Sequence, residues 1–277
     1  MMEPPALDLV EVTRVVIWIH VVSVVVATLE YLRVSADFGE RGAFAWSVFR
    51  TARGGSRLPP ALRRIQAALF RRTGSVVLLA VQVAAVLAAA LLPMRTMGQW
   101  LALLVSSTCL GLLAFRQRYG EDGADQMNLI VSVALVLTVG PFQSDTALRI
   151  GLAFIAAQLV LSYASAGIAK VVSPVWRSGR AVGLVVDTAT YGSRQAGAVL
   201  RRWPGLGYLL TWAVIVFEVS FVAMVFLPWP WVMVPLAVGA TFHASIALVM
   251  GLNNFLPAFL STYPAMLYSS LLVTSQL

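Results

Sequence analysis

Charge is scarce in this sequence. Only 12% of its 277 residues are Asp, Glu, Lys or Arg, against 59% hydrophobic, and the mean hydropathy is +0.83. A soluble domain carries about twice that charged fraction, so a water-soluble globule is excluded. Cysteine is nearly missing: Cys109 stands alone, which excludes a disulfide framework and a C-x-x-C redox or zinc motif. The two histidines, His20 and His243, form no H-x-x-x-H or H-x-x-E-H pattern, so a histidine metal motif is not expected. Lysine occurs once, at Lys170, among twenty basic residues.

In place of charge there are long apolar runs. Most extend over roughly 18 to 22 residues, enough to cross a bilayer core of about 30 Å. Backbone amides in lipid need internal partners, so such runs are helices. Residues 76–92 do not alternate in polarity, as a lipid-facing barrel strand would. The expected fold is all-α, a polytopic transmembrane helical bundle of about eight spans, forming one domain over 1–277. The spans read as 15–32, 75–93, 97–115, 127–142, 150–169, 207–227, 230–250 and 255–275. Pro93, Pro141, Pro228 and Pro230 fall at run ends, where a missing N–H does least harm. Acidic residues precede the first run, the wrong charge for a secretory n-region, so that run is expected to be a retained helix.

The two long connections, 33–74 and 170–206, and the shorter 116–126 hold seventeen basic residues. Only Arg14, Arg95 and Arg149 lie on the opposite side. That bias predicts a cell-membrane protein with basic loops cytoplasmic and both termini outside. It also accounts for the net charge of +8 without nucleic acid as a partner. Within the first loop, Pro60–Arg72 puts Leu62, Ile65 and Leu69 on one helical face flanked by arginines, the pattern of a short interfacial helix on anionic lipid. Val175–Val186, with Trp176 between apolar and basic residues, suggests a second.

Ionisable residues within spans are costly and are functional candidates by default. Four stand out: His20, Glu30, Glu218 and His243. His20 has few polar neighbours and reads as structural, and Glu30 as an interfacial ion pair with Arg33 three residues on. Glu218 lies mid-span, on one helical face with Thr211 and Ile215. An isolated carboxylate at that depth must take up a proton or find a cation or strong donor. Lys170 closes the stretch SYASAGIAK at the mouth of the fifth span, with Tyr163 and Gly167 on its face and small residues permitting close helix approach. Where only positive charge is needed the chain uses arginine, whereas lysine can lose its proton and act as a base; the residues read equally as an interfacial lysine snorkelling to the membrane surface. Asp122 and Asp125 are spaced to hold Mg²⁺, or Asp125 to cap the fourth span; sequence logic favours the cap.

Four stretches together, RQRYGEDGADQMNL, QLVLSYASAGIAKVVSPVWRSGRAV, WAVIVFEVSFVAMVF and FHASIALVMGLNNFLPAFLSTYPAML, resemble the horizontally transferred transmembrane (HTTM) domain. This is the membrane module shared with vitamin K-dependent γ-carboxylases and SdpB-like maturation proteins. The likeness covers most of the chain and is weak before residue 110. It implies that Lys170, ending the A-G-x-x-K stretch, matches the lysine regarded as the base toward vitamin K hydroquinone. Glu218 and His243 look like the family's mid-helix glutamate and histidine, and Asp125 its G-x-D aspartate. The carboxylases add a large extramembrane peptide-binding domain for which these loops have no room, so protein γ-carboxylation is not expected.

The expectation is a membrane enzyme acting by acid–base chemistry on a lipidic, isoprenoid or quinone-like substrate within the bundle. Lys170, Glu218 and His243 would be catalytic, with Tyr163, Trp176 and Asn254 against the substrate. One alternative is a Mg-dependent prenyl diphosphate (terpene) cyclase or transferase. It would use Glu121, Asp122 and Asp125 for the metal and Arg116, Arg118, Arg177 and Arg180 for the diphosphate. Another is a non-enzymatic membrane partner protein for maturation of a secreted peptide. A transporter is disfavoured, since neither an inverted repeat nor a pair of broken helices is evident.

Overall fold

The computed structural model describes residues 5–42, 44–52, 59–116, 122–140 and 144–276, the side chains of 51 and 52 excepted. All regular structure among them is helical. The helices are α1 (Leu9–Arg33), α2 (Trp46–Ala52), α3 (Pro60–Phe70), α4 (Arg72–Leu91), α5 (Met97–Arg116), α6 (Gly123–Thr138), α7 (Asp145–Val172), α8 (Pro174–Arg177), α9 (Ala181–Val186), α10 (Arg194–Arg202), α11 (Pro204–Ser220), α12 (Met233–Met250), α13 (Phe255–Leu260) and α14 (Tyr263–Thr274).

Among the described residues, seven helical stretches are long and apolar enough to cross a membrane: α1, α4, α5, α7, α11 with its 3₁₀ extension to Phe226, α12, and α13 with α14. The all-α polytopic bundle expected from the runs is thus the observed fold, and the chain is a membrane protein. The fourth predicted span corresponds to α6, with 16 residues and a length of about 24 Å, shorter than the others. It begins four residues before the apolar run because Asp122 caps it there, accepting from the N–H groups of Ala124 and Asp125 at 2.9 and 3.0 Å. The expected cap on Asp125 is therefore corrected to Asp122. An Asp122→Ala exchange is expected to cost about 1 kcal/mol, read as a lower unfolding midpoint in detergent. An unchanged midpoint would show the cap to be idle.

Proline starts several helices, at Pro60, Pro174, Pro204 and Pro264, where its absent N–H is no loss. The long loops are themselves helical, with α2 and α3 in the first and α8, α9 and α10 in the second. The single helix read over Val175–Val186 is instead two. Gly179, at φ +74°, breaks it, and a Cβ there would run into the ring of Tyr208.

The chain divides into two compact units, Met1–Val16 with Arg149–Leu277, and Ile17–Leu148. In the second, α4 packs on α5, α5 on α6, and α3 on α4. Phe38, Trp46, Phe49 and Phe70 build a core there with Leu78, Leu79, Cys109 and Leu113. The α4–α5 turn carries Arg95 at φ +63°, held by its N–H to Gln99 Oε1 at 2.8 Å, while Gln99 Nε2 donates to the Ala89 carbonyl at 3.0 Å. In the first unit, α8, α9 and α10 pack on the start of α11, and α12 packs on α13.

Candidate functional site

The site is built in the Arg149–Leu277 unit from α7 and α11. Gly167 brings the two helices to backbone contact. A Cβ at this position would lie 2.9 Å from the Val219 nitrogen and 3.1 Å from the Glu218 carbonyl carbon. Nearly one turn further, the Lys170 ammonium donates to both carboxylate oxygens of Glu218, at 2.9 and 2.7 Å. The Glu218 side chain is 4% exposed and that of Lys170 18%. The Trp176 ring lies 5.0 Å from Nζ and covers the cation from α8. Charge within the pair balances, and both oxygens are engaged by one donor group. Thr211 and Ile215, expected on the glutamate's face, are buried with it, and the Thr211 hydroxyl donates to Gly207 O at 2.8 Å.

Two turns back along α7, about 10 Å by helical rise, Tyr163 begins a second polar group. Its hydroxyl is 2.7 Å from His243 Nε2 on α12 and 3.3 Å from the Tyr263 hydroxyl on α14. Gly239, one turn before His243, leaves room for these hydroxyls, since a Cβ there would run into that of Tyr263. The rings around them are aromatic: Tyr163 stacks on Phe221 at 4.0 Å and His243 on Phe259 at 4.1 Å. The other imidazole nitrogen of His243, Nδ1, is buried and has no hydrogen-bond partner among the described residues.

Lys170, Glu218 and Trp176 are thus brought into contact, as are Tyr163 and His243. Tyr263 was not foreseen, although the polar Ser261–Thr262–Tyr263 stretch within the last span was a signal for it. All three are buried. Asn254 is buried at the start of α13. Arg177 and Arg180 are exposed on α8 and just before α9.

Arg116, Asp122, Asp125 and His20 belong to the Ile17–Leu148 unit. Arg116 is fully buried; it donates to the carbonyls of Phe70 at 3.1 Å and Phe44 at 2.9 Å and lies 4.3 Å over the Phe38 ring. That engagement ties the first loop to the end of α5. Asp122 is the helix cap, and Asp125 accepts from the Tyr31 hydroxyl at 3.0 Å. No group of three His, Cys, Asp or Glu able to hold a metal occurs among the described residues; Arg118 and Glu121 lie outside them. His20 is buried next to Asn128, which accepts from the Ser23 hydroxyl at 2.7 Å. Set against protein-family models, curated proteins and solved structures, the chain matches none.

Proposed function

We propose that this chain is an integral membrane enzyme of the HTTM type that performs acid–base chemistry on a lipidic, isoprenoid substrate of the quinone or hydroquinone kind. The observation that carries the reading is the Lys170–Glu218 pair. Two charges held in an apolar unit are expensive to desolvate, and a packing contact is served as well by neutral groups. In a dry site the same pair is a strong proton-transfer device. An acidic hydroxyl of the substrate gives its proton to the Glu218 carboxylate. Lys170, released from that carboxylate, becomes the counter-ion of the oxyanion formed, and net charge is unchanged.

The second polar group fits such a substrate. If the Tyr163 hydroxyl donates to Nε2, the imidazole proton sits on Nδ1 as a buried donor awaiting an oxygen acceptor. The rings of Phe255 and Phe259 beside it suit an aromatic head or isoprenoid chain. A Mg²⁺-dependent diphosphate reaction finds less support, since Asp122 and Asp125 are engaged by backbone and by Tyr31. The proposal also keeps the orientation expected from the loop arginines, with 33–74 and 170–206 cytoplasmic and both termini outside; the excess of basic residues in those loops supports it.

Mass spectrometry of lipids copurifying with the full chain tests this reading. A prenylated ring lipid is expected with the unaltered protein, depleted roughly tenfold in Lys170→Ala and in His243→Ala. Only diacyl lipids, or equal retention in all three proteins, would point to a structural or partner-binding role.

A further inference from the structure

The segment between α7 and α11 folds around an open cavity of about 320 Å³ whose lining includes Arg180, Gly183, Asp187, Arg201, Gly207 and Tyr208. That volume suits a small ligand or a headgroup, at the low end of the roughly 300–1,000 Å³ typical of such sites. Charge here is one-sided. Residues 170–206 hold Lys170, Arg177, Arg180, Arg194, Arg201 and Arg202 against a single acid, Asp187. Asp187 is ion-paired with Arg201. Arg180 has no ion-pair partner among the described residues.

Two glycines in the lining are informative. A Cβ added at Gly183 or Gly207 would meet no atom within 4 Å. Both lie inside helices, where glycine is unfavourable, yet neither is required by close packing. They keep space open. The depth of the cavity is marked independently: Trp203 and Tyr208, 61% and 55% exposed, stand at the start of the Pro204–Phe226 span beside Arg201 and Arg202. Aromatic and arginine side chains at the end of an apolar span mark the headgroup level of a bilayer.

We propose that this cavity binds the phosphate of a membrane amphiphile, with Arg180 as its main cation and the acyl or prenyl chains along the exposed Leu206, Leu209 and Leu210 of α11. A guanidinium matches a phosphate with two parallel N–H donors, and the neighbouring Arg201 adds positive field. The site uses none of the residues around Lys170 and Glu218 and stands or falls separately from the acid–base reading.

The test is native mass spectrometry of the full chain in detergent, titrated with dioleoylphosphatidic acid, dioleoylglycerol or inorganic phosphate. Phosphatidic acid should bind, and Arg180→Ala should weaken it roughly tenfold or more, the loss of a two-donor charge-assisted contact. Gly183→Leu should block it, with Gly207→Leu as the second filling variant should the first fail to fold; Arg194→Ala, outside the lining, should leave it unchanged. Equal binding of dioleoylglycerol would overturn phosphate recognition, and undiminished binding in a folded filling variant would overturn the location. Displacement of phosphatidic acid by an equal concentration of inorganic phosphate would overturn the amphiphile in favour of a soluble phosphate.

Discussion

Lys170→Met is expected to destabilise the protein by about 3–5 kcal/mol, because it leaves a buried carboxylate without its counter-ion. Glu218→Leu leaves an ammonium with 18% exposure, which can swing toward the membrane surface, and is expected to cost less. The double variant Lys170→Met/Glu218→Leu should regain most of the lost stability, since an apolar pair of similar volume is often as stable as the ion pair it replaces. Unfolding of the four proteins in a detergent titration closes the thermodynamic cycle. Single penalties that simply add would show that the pair is not coupled. The double variant also separates stability from chemistry: it should fold and still fail to retain the prenylated lipid. A double variant that retains the lipid would make the pair a packing device.

Gly167→Leu is expected to have the second-largest effect. Its Cβ alone would press on the Val219 nitrogen at 2.9 Å and the Glu218 carbonyl carbon at 3.1 Å, and backbone atoms in a helix cannot rotate aside. Overpacking of this kind costs about 1–3 kcal/mol, and the larger side chain should reach the top of that range. Parting α7 from α11 would also carry Lys170 away from Glu218, so lipid retention should fall along with stability. Gly111→Ala on α5 is the matched control. A Cβ there meets nothing within 4 Å, and the exchange should be neutral or stabilising by about 0.5–1 kcal/mol. Equal behaviour of the two glycine variants would remove Gly167 from the account.

Much of this fold was legible because run length is a one-dimensional property. The apolar runs near 75–93 and 97–115 became α4 and α5 with ends moved by only a few residues. Boundaries set by side-chain chemistry were harder. Asp125 and Asp122 are both good caps, and only the backbone direction after Gly123 decides which oxygen meets the free N–H groups. Gly179 split a segment whose composition reads as one helix, because its left-handed backbone and the Tyr208 ring beside it are set by tertiary packing. The site was legible as a roster more than as an arrangement. Lys170 and Glu218 stood out one at a time, by rarity and by depth, but their pairing spans 48 residues and depends on which helices cross at Gly167. Arg116 shows the reverse: a basic residue in an apparently basic loop is, by burial, a tie between carbonyls.

The solitary lysine also has a practical consequence. An acylating reagent added to the folded protein finds one side-chain amine in the whole sequence, gripped by a carboxylate and roofed by an indole. Whatever occupies or opens the site must change how readily that nitrogen is modified. The state of the centre can therefore be followed as the mass of a single peptide, without a known substrate or an assay of turnover.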